Sequence, residues 1–286
     1  MLRFLGKLRC REVSISSEYE ILPDLPEWVL FHVPHDSTWI PHSVRSQFLL
    51  NDVELQAELL RMTDHGTFDL FAQNIPVRRV VRSTVSRLAV DVERFENDAL
   101  ETMASRGMGA VYERTSDGRR LRYPPVSGQR DELMKVFYYP HHERLGDTVQ
   151  EVINRHNHAL LIDVHSFPSR PLPYELDQRS DRPDICIGTD EFHTPLGLAQ
   201  AFLQAFRETE WTVALNIPFA GALVPMSLYR KEHRLTAVMV EVNRSLYVDE
   251  VSGERRPCFL SVAMAVRKCL VSAVTLWNGE RNDSSI

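Results

Sequence analysis

The sequence predicts an α/β fold built on a largely parallel β-sheet. Three short apolar runs, 28–34, 159–166 and 235–240, have the length of buried strands. Each leads into side chains that can bind a metal ion or transfer a proton, and helical segments separate the runs, as parallel crossovers require. Because α/β enzymes keep their chemistry at the carboxyl ends of such strands, we expect the functional site at that edge of the sheet.

The remaining elements follow from local patterns. Apolar residues at helical spacing predict helices, and Thr63 or Asp64 is expected to cap a short second helix. The polar segment 97–129 is rich in glycine and contains Pro124-Pro125, and a loop of this length usually has a function. We therefore expect it to cover or border the active site. The predicted helices are 51–62, a short one ending at 71, 141–155, 195–207 and 258–277, and the further strands are 77–81, 88–92, 184–188 and 211–215.

Length and charge narrow the class of protein. The 286 residues would allow about two domains, but the candidate site residues extend from position 35 to 244. We expect a single domain over 1–286, with 1–27 as a peripheral lead-in and 278–286 as a frayed tail. The net charge of −6 gives no electrostatic reason to expect binding to nucleic acid or to an anionic membrane.

The absence of certain sequence signals predicts the cellular location and the state of the cysteines. There is no evident signal peptide and no run that approaches the roughly 20 apolar residues of a membrane span. A cytoplasmic protein without membrane association is therefore expected. The four cysteines are widely spaced and form no CxxC motif, which argues against a cysteine-based zinc site and against a disulfide framework.

Two histidines are the best candidates for metal ligands. His35 and His165 each lie at the end of a predicted strand, among small or polar residues. Catalytic zinc typically has three protein ligands from His, Asp and Glu and keeps a fourth position open. Either histidine could instead be structural. The other candidates are His65, His141, His142, His156 and His158, most of which a polar helical surface would explain.

A carboxylate and a guanidinium also follow apolar strands. Glu241 ends the third run, and a buried carboxylate must be paired, metal-bound or catalytic. An ion pair with Arg244 is the structural alternative. Arg94 presents a planar fork that suits a substrate carboxylate, although a surface salt bridge would also explain it. The sequence contains neither a GxSxG motif nor a phosphate-binding glycine loop, which disfavours serine hydrolases and nucleotide-binding proteins.

Seven segments between about 31 and 250 give a more specific signal. They are HVPHDSTWIP, MTDHGTFDLF, SRLAVDVERF, YYPHHERL, LIDVHSFPS, TVALNIPFAG and EVNRSLYVDE. These motifs resemble those of the N-formylglutamate amidohydrolases, which are related to the zinc carboxypeptidases and aspartoacylases. The resemblance implies a three-layer α/β sandwich with a central mixed, mostly parallel sheet, as in zinc exopeptidases, and one zinc ion at the strand ends.

The resemblance also implies roles by position. The zinc ligands would be His35, Asp64 and His165, with Asp36 as the reserve for the carboxylate. Glu241 matches the general base of the carboxypeptidases, and Arg94 matches the arginine of their DxNR motif, which binds a substrate carboxylate. The further residues predicted to bind substrate are Arg87, Asn243 and Arg244.

Two departures from the family pattern affect these expectations. The carboxypeptidase zinc motif HxxE is absent, because His35 is followed by the residues DST. The carboxylate ligand must therefore come from elsewhere in the chain. The DxNR motif reads DVER, with Glu93 in place of the usual asparagine. An acidic group there should repel a substrate carboxylate unless it points away or is paired, which weakens the case for formylglutamate itself.

The combined prediction is a zinc-dependent amidohydrolase that cleaves the amide bond of an N-acyl amino acid, as in N-formylglutamate, or of a short peptide. Glu241 would take a proton from water and pass it to the leaving amine. One alternative is a non-catalytic, metal-containing protein that binds small acidic ligands, which the Glu93 departure motivates. Another is that the histidines and Glu241 are structural and no metal binds. The sequence does not determine the oligomeric state.

Overall fold

The computed structural model of the protein describes residues 24–123 and 128–283, and its centre is a six-stranded sheet. The strand order is β2-β1-β3-β6-β4-β5. Neighbouring strands are parallel except for the β4–β6 pair, which is antiparallel. The predicted mixed, mostly parallel sheet is therefore confirmed. The strands are β1 (Val29–Val33), β2 (Val80–Arg82), β3 (Ala159–Phe167), β4 (Ile185–Gly188), β5 (Val213–Leu215) and β6 (Leu235–Asn243).

Helices account for the other layers. The α-helices are α1 (His42–Arg45), α2 (Asp52–Met62), α3 (Gln129–Leu133), α4 (Tyr139–His156), α5 (Leu196–Arg207) and α6 (Phe259–Asp283). At the start of α2, the Asn51 side chain accepts a hydrogen bond from the Glu54 amide at 2.9 Å. The Glu54 carboxylate accepts one from the Asn51 amide at 3.0 Å, which completes a capping box.

The central strands are covered on both faces. All nine residues of β3 and all five of β1 are buried, although successive side chains of a strand point to opposite faces. Continuous apolar runs in the sequence, rather than alternating ones, are the signature of such strands. α4 packs along β3 and β2, whereas α5 packs on β4 and β5 and against α6. This is the three-layer arrangement that the resemblance implied.

The segment 88–92, predicted as a strand, is a turn. The fully buried Arg122 donates hydrogen bonds from Nη2 to the carbonyl oxygens of Leu88 at 2.5 Å and Ala89 at 3.2 Å. These backbone groups are therefore bound by a side chain instead of a neighbouring strand. The prediction for 77–81 is correct only in part, because Val77–Arg79 forms a 3-10 turn before β2 begins.

The predicted short helix is a single turn of π-helix, Phe68–Ala72. Neither Thr63 nor Asp64 caps it, because it begins after Thr67 and has no side-chain cap. The Asp64 carboxylate is directed elsewhere, into the site described below. The segment predicted as an irregular loop contains the 3-10 helix Thr102–Arg106 and packs around a second hydrophobic cluster with α2. Pro124-Pro125 lies outside the described residues.

α6 differs from its prediction at its end and in its character. It continues to Asp283, so the described part of the predicted frayed tail is helical. Among the described residues, one helical segment, Phe259–Asn278, is long enough and apolar enough to cross a membrane, with a mean hydropathy of 1.7. The sequence had been expected to contain no such segment. About 33% of this window is buried, and Val266, Leu270 and Trp277 recur at helical spacing on the face that packs into the main core.

The chain ends lie partly outside the described residues. Residues 1–23 of the predicted lead-in and 284–286 of the predicted tail are outside the described part of the chain. Of the remaining lead-in, Leu25 is buried in the main hydrophobic core.

Candidate active site

The carboxyl ends of β1, β3 and β6 lie side by side, as the apolar runs predicted. His35 follows β1 by two residues, and His165 of β3 stands opposite Glu241 of β6 in the strand register. These three side chains line one cavity of about 540 Å³. The segments 97–129 and 168–183 both contribute to its wall, for example through Met103 and Leu172. The segment 97–129, which was expected to cover or border the active site, therefore borders this cavity.

His35 has one ring nitrogen without a partner. Its Nε2 lies 2.8 Å from Oδ1 of Asp91. Because an ionised carboxylate can only accept hydrogen bonds, Nε2 is the ring nitrogen that donates to Asp91. Nδ1 is buried and makes no hydrogen bond. The nearest carboxylate oxygens are Oε2 of Glu93 at 3.6 Å and Oδ2 of Asp64 at 3.8 Å.

His165 repeats this arrangement. Its Nδ1 donates to Oδ2 of Asp64 at 3.2 Å. Its Nε2 is buried without a hydrogen bond of proper geometry, 3.0 Å from Oε1 of Glu93 and 3.2 Å from Oδ1 of Asp163. Burial alone would lower the pKa of His165, but the charges of Glu93 and Asp163 hold it well above its ordinary value. The surroundings of this imidazole are therefore strongly negative.

His35, Glu93 and His165 form a group that could hold a metal ion. One ligand atom from each lies within 4.8 Å of the others. Two imidazoles and one carboxylate are a donor set that catalytic zinc uses. Both histidines were predicted from the sequence as ligands, whereas Glu93 was expected to repel a substrate carboxylate unless it points away or is paired. The missed signal was Glu93 itself, a carboxylate where the DxNR motif has an amide. Because the chain lacks the HxxE glutamate, this carboxylate was a candidate to replace it.

Asp64, the predicted carboxylate ligand, lies beside the group but is bound to other residues. In addition to His165, its Oδ2 accepts from the amide of Ser166 at 3.2 Å, and its Oδ1 accepts from Nη2 of Arg244 at 2.9 Å. Burial alone would raise the pKa of Asp64, but His165, His35 and Arg244 hold it well below its ordinary value. Its assignment as a ligand stays a prediction.

Asp36, the reserve ligand, is bound to backbone and arginine groups. Its carboxylate accepts from the amides of Gly66 at 3.0 Å and Phe68 at 3.2 Å, and it pairs with Arg82 at 3.0 Å. Burial raises the pKa of Asp36 to about 6. These contacts link β1 to the π-helical turn and give Asp36 a structural role.

Asp91 connects His35 to Arg87 and Tyr112. Its Oδ2 accepts from Nε and Nη2 of Arg87, at 3.2 and 2.9 Å, and from the Tyr112 hydroxyl at 2.5 Å. Burial alone would raise the pKa of Asp91, but His35 and Arg87 hold it well below its ordinary value. The amide of Glu93 also donates to Asp91 at 3.0 Å. Asp91 therefore orients His35 and fixes the backbone that carries Glu93.

Arg94 has the weakest partners of the three arginines that line the cavity. Its Nε is 3.6 Å from Asp91, its Nη1 is 3.6 Å from Glu101, and Nε is buried without a hydrogen bond. Arg244, in contrast, donates to the Ser166 hydroxyl at 3.1 Å as well as to Asp64. Arg94 is thus the arginine best placed to receive a ligand oxygen.

Glu241 is buried, and Arg244, its expected partner, pairs with Asp64 instead. Burial raises the pKa of Glu241 to about 8. Asn243, predicted to bind substrate, donates from Nδ2 to the carbonyl of Pro183 at 3.1 Å and accepts from the amide of Ser245 at 3.1 Å. These bonds direct Asn243 to the backbone and not to the cavity.

Buried histidines behind the site were missed or misassigned. His32 of β1 lies between Asp163 and His141, 2.8 Å from each. The expectation of a polar helical surface is wrong for His141, which is buried, and for His142, whose Nε2 donates to the carbonyl of Val92 at 2.7 Å. The missed signal was a histidine inside an apolar strand, where burial demands a polar partner.

Comparison with known proteins decides the family. The model of the N-formylglutamate amidohydrolase family matches residues 28–248. The chain belongs to this family. The resemblance of the motifs is thereby confirmed, and with it amide hydrolysis as the chemistry typical of its relatives.

Two solved structures share the fold. An N-formylglutamate amidohydrolase from Ralstonia eutropha JMP134 superposes with a TM-score of 0.71 at 19% identity, covering 90% of this chain and 97% of that one. A gene product from Agrobacterium tumefaciens superposes with a TM-score of 0.64 at 19% identity, covering 87% and 90%. At this identity the likeness concerns the fold alone. No curated protein sequence is significantly similar to the chain.

Proposed function

We propose that the protein is a zinc-dependent amidohydrolase that cleaves the amide bond of an N-acyl amino acid, with His35, Glu93 and His165 as the metal ligands. One observation carries the proposal: the unbonded Nδ1 of His35 and Nε2 of His165 are both buried and both face Glu93. Buried polar atoms nearly always have a partner. Two ring nitrogens without a hydrogen bond, both beside a carboxylate, fit a cation, whose binding would displace any proton that they carry.

The groups around the ligands support this assignment. Each histidine donates its other ring nitrogen to a carboxylate, Asp91 for His35 and Asp64 for His165. Metal-binding histidines are usually oriented in this way. Two imidazoles and a carboxylate suit zinc, which when bound polarises an amide carbonyl and promotes the ionisation of water.

Glu241 is the proposed general base. It lies next to His165 across the β3–β6 pair, and its carboxylate is buried in the wall of the cavity. A buried carboxylate with a raised pKa holds a proton readily, and nearby positive charge would bring that pKa toward neutrality. Glu241 would accept a proton from water and deliver it to the leaving nitrogen.

The arginines divide into two roles. Arg94, with its unbonded Nε, would hold the substrate carboxylate. Arg87 and Arg244 were predicted to bind substrate, but their bonds to Asp91 and Asp64 make them positioning residues. Through these two carboxylates they fix the orientation of the histidines.

Metal content tests the ligand set. Protein purified without chelator or affinity metal should contain about one equivalent of zinc, as a single three-ligand catalytic site implies. Glu93→Gln and His165→Ala should lose it, whereas Asp64→Asn should bind zinc more weakly but still detectably. Glu96→Gln is the control, because that carboxylate accepts from the Tyr139 hydroxyl near the surface.

The same measurement has outcomes that overturn the assignment. Full zinc content in Glu93→Gln together with loss in Asp64→Asn would transfer the ligand role to Asp64. Failure of the wild-type protein to bind zinc or another divalent ion after supplementation would refute the metal site as a whole.

Turnover tests the proposed base. Glu241→Gln should retain zinc and lose at least about 100-fold in kcat on N-acyl amino acids. Unchanged kcat would show that another group accepts the proton. Zinc binding without turnover of any acyl amino acid by the wild-type protein would favour the alternative of a binding protein.

A further inference from the structure

The cavity offers a cationic partner to only one substrate carboxylate, as far as the described residues show. Of its three arginines, Arg87 is neutralised by Asp91 and Arg244 by Asp64, both through hydrogen bonds shorter than 3.0 Å. Arg94 has only the 3.6 Å contacts described above and an unbonded Nε. No lysine lines this cavity in the part of the chain that the structure describes. A second carboxylate would have no cationic partner there.

The remaining charge of the cavity wall is negative. Seven acidic side chains line it, against the three arginines. Those farther from the metal group already have partners: Glu101 accepts from the amides of Phe95 and Met103, at 3.1 and 2.9 Å, and Glu175 pairs with Arg182. Asp190 similarly accepts from two backbone amides. The wall would repel a second substrate carboxylate. A cationic substrate side chain is also disfavoured, because these acidic groups already have partners.

Apolar side chains form much of the rest of the wall. Leu176 and Met226 are 64% and 43% exposed, although both are large hydrophobic residues. Phe219 and Leu223 lie on the same cavity. Exposed apolar surface around a concave site gains free energy when an apolar ligand group covers it.

From these observations we infer that the substrate is an N-acyl amino acid with one carboxylate and an apolar side chain, and not the dianionic N-formylglutamate. The inference rests on the proposed amidohydrolase function and specifies its substrate class. Arg94 binds the α-carboxylate, and the side chain is covered by the apolar wall that includes Leu176 and Met226. The γ-carboxylate of a glutamate side chain would be buried there without a partner, which is costly.

Binding to the Glu241→Gln variant tests the inference without requiring turnover. The zinc-loaded variant is titrated calorimetrically with the N-formyl and N-acetyl derivatives of leucine, glutamine and glutamate. The leucine derivatives should bind at least about tenfold more tightly than the glutamate derivatives, with glutamine between them. Glutamine keeps the shape of glutamate without its charge, so the glutamine–glutamate difference isolates the charge effect.

Two variants test the apolar wall. Leu176→Ala and Met226→Ala should each weaken binding of the leucine derivative several-fold and change binding of the glutamine derivative less. Leu260→Ala and Met264→Ala are matched controls, because these α6 residues are similarly exposed, at 68% and 57%, but lie outside the cavity lining. They should leave every affinity unchanged.

The outcomes separate this inference from the proposed function. Equal or tighter binding of the glutamate derivatives overturns the inference, and turnover of those derivatives by the wild-type protein would still support the amidohydrolase. If the leucine derivatives bind more tightly but the wild-type protein hydrolyses none of the six compounds, the substrate class stands as a binding preference and the hydrolase proposal fails. Binding of none of them overturns the inference.

Discussion

Nδ1 of His32 lies 2.8 Å from Oδ1 of Asp163, on adjacent parallel strands whose register places the two residues opposite each other. The same Asp163 oxygen is 3.2 Å from Nε2 of His165, and Oδ2 of Asp163 accepts from the amide of Leu223 at 2.9 Å. Nε2 of His32 lies 2.8 Å from Nε2 of His141. A buried polar chain therefore leads from α4 across β1 and β3 to a candidate metal ligand.

Replacing His32 should weaken metal binding without touching a ligand. His32→Leu removes one hydrogen-bond donor from Asp163, which lies directly beside His165. We expect about 10-fold weaker zinc affinity, measured by competition with a chromogenic chelator. Because the buried Asp163 carboxylate loses a donor, the free energy of unfolding of the variant should also be lower by about 1–3 kcal/mol.

His32→Gln is the matched control for that variant. Its side-chain amide retains a donor for Asp163, so its zinc affinity should stay closer to wild type. The role assigned to His32 fails if the leucine variant binds zinc as tightly as the wild-type protein.

Glu241 should make the metal-free protein less stable as pH rises. Burial raises its pKa in the folded protein to about 8, above the value of 4.5 expected without burial. Between these values the folded state holds a proton that the unfolded state has released, so the free energy of unfolding falls with increasing pH. Below the lower value both states are protonated and the effect is absent.

The measurement compares urea unfolding of wild type and Glu241→Gln in the presence of chelator. From pH 6 to pH 9, the variant should gain up to about 3 kcal/mol over the wild type, because two pKa units separate pH 6 from the folded pKa. The difference isolates Glu241 from the other buried carboxylates, which are present in both proteins. A constant difference across this range would refute the raised pKa.

Gly188 at the end of β4 should be intolerant of any side chain. A Cβ there would clash with Met239 and would lie 2.5 Å from the carbonyl oxygen of Gly221, in the segment that lines the cavity. Gly188→Ala must therefore displace this segment. We expect a loss of about 1–3 kcal/mol in stability, as for other overpacked sites, together with a lower kcat/KM.

Gly146→Ala in α4 provides the comparison. The nearest atom to its added Cβ is the Ser227 hydroxyl oxygen at 3.1 Å, which can rotate away. Alanine is also favoured over glycine in a helix by up to about 1 kcal/mol, so stability should be unchanged or slightly higher. Wild-type kcat/KM in Gly188→Ala would show that the close approach of Gly221 does not position the cavity wall.

The sheet and its active edge could be predicted from the chain because their signals are local. The apolar runs that became β1, β3 and β6 identify buried strands through composition and length alone, and His35, His165 and Glu241 follow from their positions at the ends of those runs. Parallel pairing then brings the three together. The capping box that begins α2 is equally local, since its two residues are three positions apart.

The roles of the carboxylates and arginines depended on contacts between distant parts of the chain. The turn that presents Glu93 to the histidines is held by Arg122, and Asp91 within it is bound by Tyr112, residues 21 or more positions away. Asp64 is bound by Arg244, which is 180 positions away. Such pairings have no period or spacing in the sequence, because only packing brings the groups together. Local patterns therefore specified the framework, and tertiary contacts decided which charged groups remain available for a metal ion and a substrate.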